Sequence, residues 1–296
     1  MSKPPLLLGF SDTFATAELF FTTVLSEYYD VTIDNQNPKY VIFGDSNFGK
    51  AHNKFNGRAK KIFYTGENVR PDYLTYNHAI TFDPENSPRH YRLPLYVLDM
   101  WSAVHFEHWT DDYLQLCNRD LGDPEKNWNR KFCSFVQSNP KSSVRNTFFP
   151  MICAYKQVDS AGPHLNNTGF ILPRDKLEHK INFLNKYKFN IAFENQTYPG
   201  YVTEKILNAF QANTVPIYWG ANNTVHRDFN KKAFINSHDF GTFDRVIDYT
   251  KHLDSPEGKN EYLDMLYQPP FVDNRPNCYT DLHQFYLWWH MFVYEG

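Results

Sequence analysis

The sequence predicts an α/β protein built from two domains, each a parallel β-sheet covered by helices. The chain has 296 residues, which is long for one domain but suits two domains of roughly 100–150 residues each. Short apolar runs that end in turn residues alternate with longer amphipathic stretches. This alternation is typical of the strands and helices of a parallel sheet. A polar, turn-rich passage at residues 118–131 interrupts it and predicts a boundary between the two domains.

The first predicted domain spans residues 1–128. Apolar runs bounded by turn residues predict its strands, and a periodic stretch at residues 14–28 predicts a helix after the first of them. The predicted strands are residues 6–10, 40–44, 61–64 and 79–82.

The second predicted domain spans residues 129–278, because the alternation restarts after the polar passage. Its strands are predicted at residues 131–136, 189–193 and 215–219, and its helices at residues 142–155 and 203–212. The last segment, residues 279–296, is rich in aromatic side chains. It is predicted to form a helix over residues 279–294 that packs at the domain junction.

Charge and composition exclude several classes of protein. The formal net charge is −3, without the basic excess that a general grip on nucleic-acid phosphates requires. Nucleic acid is therefore not an expected partner. No apolar run approaches the about 18 residues of a membrane span, and the leucines at positions 6–8 are too few for a signal-peptide core. The four cysteines are widely spaced, which favours reduced thiols in a cytoplasmic protein.

A candidate ligand site follows the strand predicted over residues 189–193. This strand ends in Glu194 and Asn195, and a turn then leads into the helix predicted over residues 203–212. Ligands of open α/β sheets bind outside the carboxyl ends of strands. On a helical wheel, four residues share one polar face opposite an apolar face. These four are Tyr201, Glu204, Lys205 and Asn208.

Two interpretations of this polar face are open. A helix N-terminus with a nearby lysine suits a diphosphate, and a neighbouring carboxylate can accept hydrogen bonds from ribose hydroxyls. Alternatively, Glu204 and Lys205 are solvated side chains on a surface helix.

Two further residues stand just after predicted strands. Arg145 lies in the first turn of the helix predicted over residues 142–155, and its planar guanidinium can bind phosphate oxygens in pairs. A surface salt bridge is the alternative role. Glu67 follows the strand at residues 61–64, which places a carboxylate where a general base would face a cleft. Capping of the next turn is the alternative role for Glu67.

Together these segments resemble the α-1,3/4-fucosyltransferase family, and the bacterial α-1,3-fucosyltransferases in particular. Residues 193–205 read FENQTYPGYVTEK and residues 215–220 read VPIYWG, which is similar to the signature of this family. The supporting segments are FYTGEN at 63–68, YRLPLY at 91–96, SNP at 138–140, VRN at 144–146 and YLDMLY at 262–267. The resemblance thus covers roughly residues 60–267.

The resemblance implies a GT-B fold, in which two Rossmann-like domains enclose a cleft. The N-terminal domain would bind the acceptor and the C-terminal domain GDP-fucose. The implied reaction moves L-fucose, with inversion, to O3 of N-acetylglucosamine or glucose in an oligosaccharide such as N-acetyllactosamine. Glu67 matches the family's base by position. The matching donor-binding residues are Arg145 and Lys205 on the diphosphate, Glu204 on the ribose, and Asn195 and Tyr201 elsewhere in the donor pocket.

No cofactor or metal ion is expected beside the donor substrate. Metal-dependent glycosyltransferases hold Mg²⁺ or Mn²⁺ through a D-x-D triplet, and this chain contains none. The resemblance implies that the leaving diphosphate is met by Arg145, Lys205 and the helix N-terminus near Thr203.

Two features depart from the family pattern. Bacterial members often carry C-terminal heptad repeats and a basic amphipathic tail, and neither precedes Gly296. Peripheral association with the inner membrane is therefore an open expectation. The passage at residues 160–167 is more polar and poorer in glycine than expected, which leaves fucose contacts there unassigned. Two alternative functions are kept: a GT-B transferase for another nucleotide sugar, and a non-catalytic module whose aromatic side chains stack on glycans.

Overall fold

Two units make up the chain in the computed structural model, which describes residues 2–85, 87–103, 119–274 and 282–296. Unit 1 holds the described residues up to 103 together with residues 282–296, and unit 2 holds residues 119–274. Residues 119–128 therefore group with unit 2, although the division made from the sequence counts them with the first domain. The packing of the C-terminal helix at a domain junction stays a prediction.

Unit 1 is built, over its described residues, on a six-stranded sheet whose neighbouring strands all run parallel. The strands are β1 (Pro5–Ser11), β2 (Asp30–Ile33), β3 (Tyr40–Phe43), β4 (Lys60–Tyr64), β5 (His78–Thr81) and β6 (His90–Arg92). Their order across the sheet is β2-β1-β3-β4-β5-β6. All four strands predicted for this region are confirmed, with bounds shifted by at most one residue.

The sequence did not predict β2 and β6, because both are edge strands. Edge strands are covered on fewer sides, so they need no continuous apolar run. Most residues of β2 and β6 are partly or fully exposed. By contrast, every residue of β3 is buried.

Two α-helices lie within the described residues of unit 1 up to residue 103. The first is α1 (Ala15–Ser26), and α2 (Leu95–Ala103) follows β6. A short 3₁₀ helix, Ala51–Phe55, lies between β3 and β4. The helix predicted over residues 14–28 is confirmed as α1, whose buried residues recur three or four positions apart as a single core-facing face requires. They are Ala17, Phe20, Phe21, Val24 and Leu25.

Unit 2 contains, within residues 119–274, a five-stranded sheet that is also parallel throughout. Its strands are β7 (Lys131–Phe135), β8 (Val158–Ser160), β9 (Tyr187–Phe193), β10 (Val215–Trp219) and β11 (Ile235–Asn236), in the order β11-β10-β9-β7-β8. The three strands predicted here are confirmed. The helices are α3 (Pro124–Trp128), α4 (Ser143–Cys153), α5 (Leu177–Leu184), α6 (Glu204–Gln211), α7 (Phe243–Asp254) and α8 (Lys259–Leu266).

The strand order of unit 2 reverses between β7 and β9. From β7 the chain moves to β8 on one side, then crosses back to β9 on the other side and continues to β10 and β11. The helices that connect such strands diverge at the reversal and leave a crevice, which is where open α/β sheets bind ligands. Every residue of β9 is buried, and this strand forms one side of the reversal beside the crevice.

The C-terminal segment packs within unit 1. Helix α9 (Leu282–Trp288) continues as a π-helical stretch, Trp289–Tyr294. The rings of Tyr28 and Tyr286 stack with their centroids 4.0 Å apart, and the Tyr29 hydroxyl lies 2.8 Å from Nδ1 of His290. The aromatic helix is thus confirmed from residue 282 onward, and residues 279–281 lie outside the described part of the chain.

None of the helices in the described ranges has both the length and the apolar character needed to cross a bilayer. Cys133 and Cys153 carry free thiols. Burial raises the pKa of both thiols, so neither is a reactive thiolate. Cys117 and Cys278 lie outside the described residues.

Candidate functional site

A buried carboxylate organises the connection between β9 and α6. Glu194 follows the last residue of β9 and is fully buried. It accepts a hydrogen bond from the backbone N–H of Thr203 at 2.7 Å and another from the Thr203 hydroxyl at 2.7 Å. Thr203 is the N-cap residue of α6. Glu194 therefore ties the beginning of the helix to the end of the strand.

Lys205 lies in the first turn of α6 and is surrounded by acceptors. Its ammonium is 2.7 Å from the Thr203 hydroxyl oxygen, 3.1 Å from Glu194 and 3.3 Å from Glu204. Burial alone would lower the pKa of Lys205, but Glu194 and Glu204 raise it above its usual range. The ammonium is therefore charged at every physiological pH, as binding a diphosphate requires.

Arg145 is fixed against the end of the same strand. Its Nε donates to the carbonyl of Phe193 at 2.9 Å, Nη2 donates to the same carbonyl, and Nη1 donates to Oδ1 of Asn195 at 2.6 Å. Burial lowers the pKa of Arg145, and Glu194 and Glu204 oppose that effect. An arginine guanidinium retains its proton in proteins. Arg145 is 4% exposed, so the alternative of a surface salt bridge is wrong.

The side chains of Arg145 and Lys205 border one cavity, which lies where the strand order of unit 2 reverses. The cavity has a volume of about 470 Å³ and lies over the carboxyl ends of β7, β8 and β9. Arg145, Asn195, Glu204 and Lys205 all line it. The structure thus brings four of the five predicted donor-binding residues together, although the chain separates the first from the last by 60 positions.

The fifth residue, Tyr201, was placed wrongly by the helical wheel. Helix α6 begins at Glu204, so Tyr201 precedes the helix and does not share its polar face. Its side chain is buried, and its carbonyl accepts a hydrogen bond from the Tyr218 hydroxyl at 3.2 Å. Asn208 is also buried rather than solvated. The alternative of an ordinary surface helix therefore does not fit, because this face packs against Glu194 and α5.

Three basic residues of this cavity were missed by sequence reasoning. Lys180, on α5, donates to Oδ1 of Asn208 at 2.6 Å and lies 4.0 Å from the carboxylate of Glu204. Arg174 and Lys176 line the cavity from the loop before α5. A net charge of −3 for the chain hides this local excess of cations. The available signal was the spacing of Lys176 and Lys180, which are four positions apart and therefore lie on the same side of α5.

The polar passage at residues 160–167 also borders the cavity, through Gly162 and Pro163. Gly162 lies against the backbone of Gln137, where an added Cβ would be 2.1 Å from the Gln137 carbonyl oxygen. Glycine is therefore required at this position. It lets the segment after β8 approach the segment after β7 and close one side of the cavity.

Glu67 belongs to unit 1 and is exposed at the carboxyl end of β4. Its backbone N–H donates to the Thr65 hydroxyl oxygen at 3.0 Å, and that hydroxyl donates to the buried carboxylate of Asp45 at 3.1 Å. An added Cβ on Gly66 would lie 2.7 Å from a methyl carbon of Leu95. The backbone that carries Glu67 is thus held on both sides, while its side chain reaches solvent.

Comparison with known proteins identifies the family. The family described as "Glycosyltransferase family 10 (fucosyltransferase) C-term" matches residues 125–266, and "Alpha-(1,3)-fucosyltransferase FucT N-terminal domain" matches residues 7–99. A crystal structure of an α-1,3-fucosyltransferase superimposes on the whole chain with a TM-score of 0.81 at 31% identity, and the match covers 92% of that structure. This chain belongs to glycosyltransferase family 10.

Other family 10 proteins agree with this assignment. The α-(1,3)-fucosyltransferase FucT of Helicobacter pylori is 35% identical over 95% of this chain, which spans 64% of the length of that relative. An α-1,3-fucosyltransferase crystallised with GDP-fucose has a TM-score of 0.78 at 32% identity, with all of this chain and 92% of that structure covered. Two parallel sheets with flanking helices and this similarity confirm the α/β fold of GT-B type.

Proposed function

We propose that this chain transfers L-fucose from GDP-fucose to a hydroxyl of an oligosaccharide and forms an α-1,3 linkage. One observation carries the proposal: Arg145 and Lys205 line a single cavity at the strand-order reversal of unit 2. Two fixed cations at that position suit a diphosphate. Membership of family 10 and the solved relative with GDP-fucose support fucose as the sugar.

The donor half of the proposed site uses the residues around the cavity. Arg145 and Lys205 bind the diphosphate oxygens, and Glu204 accepts hydrogen bonds from ribose hydroxyls. Because Arg145 occupies Oδ1 of Asn195, Nδ2 of that amide is the group proposed to donate to the sugar nucleotide. Tyr201, the fifth residue proposed for the donor pocket, lies in the turn before α6, where its carbonyl accepts a hydrogen bond from the Tyr218 hydroxyl. The N–H of Thr203 is used by Glu194, so side chains supply most of the charge at the diphosphate.

The acceptor half of the proposed site uses Glu67 as general base. In the step, the acceptor oxygen attacks C1 of fucose while its proton passes to a carboxylate oxygen of Glu67. The bond from C1 to the β-phosphate oxygen breaks, and its electron pair leaves with GDP. Attack opposite to the leaving group converts the β-linked donor into an α-glycoside. Removal of the acceptor proton by a positioned base is typically worth about 10²–10⁴-fold in rate.

The negative charge that develops on GDP has to be neutralised as the bond breaks. Arg145 and Lys205 are held in position before the reaction by Phe193, Asn195 and Glu194, so little reorganisation is needed. We therefore propose that transfer needs no metal ion. The proposed acceptor position is O3 of N-acetylglucosamine or glucose, as in N-acetyllactosamine.

A donor and acceptor array tests this function. The purified chain, in EDTA, is offered GDP-fucose, GDP-mannose or UDP-galactose together with a panel of oligosaccharides, and released nucleotide and product mass are measured. We expect release of GDP from GDP-fucose with N-acetyllactosamine, and GDP binding with roughly micromolar affinity. Transfer of another sugar would support a different GT-B transferase, and glycan binding without GDP binding would support a non-catalytic module. Either result contradicts the proposal.

A further inference from the structure

Beside Lys205, which lines the cavity of unit 2, lies the buried carboxylate of Glu194. The residue has no solvent exposure, and its own N–H donates to the carbonyl of Trp219 at 2.7 Å. An added Cβ on Gly220 would lie 2.5 Å from Cγ of Glu194 and 2.6 Å from the Tyr218 hydroxyl oxygen. Backbone and aromatic groups thus enclose the side chain. A carboxylate in this position cannot reach an acceptor hydroxyl, so Glu194 is excluded as the base.

The acceptors around Lys205 divide into two kinds. An ammonium has three N–H donors, and here Thr203, Glu194 and Glu204 supply three oxygens. Glu194 and Thr203 are buried, whereas Glu204 lines the cavity and its side chain is 31% exposed. The first two contacts are therefore fixed by packing, and the third can exchange with a ligand.

We infer that Glu194 is a positioning residue, which holds the ammonium of Lys205 in place for a diphosphate. This inference rests on the proposed function. When a nucleotide diphosphate enters, Glu204 moves from Lys205 to ribose hydroxyls and a phosphate oxygen takes its place on the ammonium. Glu194 keeps its contact with Lys205 throughout and exchanges no proton.

The ion pair makes the role of Glu194 depend on Lys205. Removing the cationic partner of a buried carboxylate strongly destabilises the folded protein, whereas removing both charges costs much less stability. Glu194 has Lys205 as its ion-pair partner at 3.1 Å. Its effects on stability and on nucleotide binding should therefore both depend on the presence of Lys205.

A double-mutant cycle tests this dependence. GDP affinity is measured by calorimetry, and Tm without nucleotide, for the wild type, Glu194→Gln, Lys205→Met and the double variant. With Lys205 present, Glu194→Gln should weaken GDP binding by about tenfold, a change of about 1.4 kcal/mol. With Met at position 205, the same substitution should change GDP affinity by less than about twofold. Without nucleotide, Lys205→Met should lower Tm, and adding Glu194→Gln should restore part of the loss.

Two more variants make the test robust. Thr203→Val removes the hydroxyl that contacts both Glu194 and Lys205 but keeps both charges, so it should weaken GDP binding by roughly threefold. Glu257→Gln, an exposed change of the same chemical kind in unit 2, should leave GDP affinity and Tm at wild-type values.

The inference fails if Glu194→Gln weakens GDP binding equally in both backgrounds, or if the double variant is no more stable than Lys205→Met. Either result would assign Glu194 a purely structural role. A wild-type chain that does not bind GDP would instead contradict the proposed function itself. The two failures are thus told apart by the wild-type titration.

Discussion

The two units have the same kind of sheet but use its point of reversal differently. In unit 1 the strand order reverses between β1 and β3, and in unit 2 between β7 and β9. Both reversals are positions where an α/β sheet can bind a ligand. In unit 2 a cavity with several cationic side chains lies there.

In unit 1, hydrogen bonds join the segment after β1 to the segment after β3. The carboxylate of Asp12, after β1, accepts hydrogen bonds from the N–H groups of Ala51 and His52 at 3.0 and 2.6 Å. The carbonyl of Asp12 accepts from Gly44, after β3, at 2.9 Å. Burial raises the pKa of the Asp12 carboxyl, but the hydrogen bonds from the N–H groups of His52 and Ala51 help to bring it below its usual range. A protein carboxylate thus accepts hydrogen bonds at the reversal of unit 1, whereas cationic side chains border a cavity at the reversal of unit 2.

The comparison extends to two glutamates, each of which follows a parallel strand. Glu194, after β9, is fully buried and paired with Lys205. Glu67, after β4, is exposed, and its backbone is held through Thr65. The surroundings rather than the residue type thus distinguish the two glutamates, of which Glu194 is the proposed positioning residue and Glu67 the proposed general base.

The largest expected effect on turnover is that of replacing Glu67, the exposed one of the two glutamates. Glu67→Gln keeps the size of the side chain but cannot accept the acceptor proton, so kcat should fall by about 10²–10⁴-fold. GDP affinity should stay within a few-fold of the wild type, because the cavity of unit 2 is unchanged. Tm is measured on the same sample. A folded variant that binds GDP and still turns over above about a tenth of the wild-type rate would remove Glu67 as the base.

The next effect concerns the cations of unit 2. Arg145→Ala and Lys205→Ala should each lower kcat/KM by roughly 10–10³-fold, because charge-assisted hydrogen bonds to the diphosphate are lost as charge develops. Both should also lower Tm. Arg145 bonds the end of β9, and Lys205 neutralises buried Glu194. Arg245→Ala, at an exposed arginine on α7, is the matched control. Normal kcat/KM in either folded variant would exclude that residue from the site.

A third prediction concerns acid sensitivity in unit 1. Burial, and then Lys60 and Arg89, lower the pKa of His78 to about 4. The unfolded chain binds the proton near the ordinary pKa of about 6.5. Stability is therefore fully present above about pH 6.5 and falls as the pH drops toward 4, by up to about 3 kcal/mol.

Denaturant unfolding at pH 7 and pH 5 measures this effect. His78→Gln removes the titrating group, so the fall in unfolding free energy between the two pH values should become smaller. An unchanged pH dependence of stability in His78→Gln would show that other groups cause it.

The smallest effect probes the packing behind Glu194. Gly220→Ala places a methyl group 2.5 Å from Cγ of Glu194, and overpacking of this kind costs about 1–3 kcal/mol. Gly122→Ala meets no atom within 4 Å but has a φ of +65°, so its cost is conformational, about 1 kcal/mol. Thermal unfolding compares the two. GDP affinity should fall in Gly220→Ala alone. Equal GDP affinity in both variants would show that Glu194 tolerates displacement.

The sequence predicted the central strands well because their burial on both faces demands continuous apolar runs, as in β3 and β9. Tyr201 was assigned to the polar face of a helix because a helical wheel treats every residue as helical. Helix α6 in fact starts at Glu204, three residues after Tyr201. Lys180 was not recognised as part of the cavity, and Glu194 was not recognised as a partner of Lys205 and Thr203, for a different reason. Their positions depend on contacts with Asn208 and Thr203, which only folding creates.

Proton NMR of the first product formed by the unmodified chain tests the central claim most directly. That claim is that protein side chains carry out an inverting fucosyl transfer without a metal ion. The chain is incubated with GDP-fucose and N-acetyllactosamine in EDTA, and the anomeric signal of the transferred fucose is followed from the first turnovers. We expect an α-fucoside on O3 of N-acetylglucosamine, formed at the same rate with and without EDTA. A β-fucoside, or a product that forms only when Mg²⁺ or Mn²⁺ is added, would contradict the account.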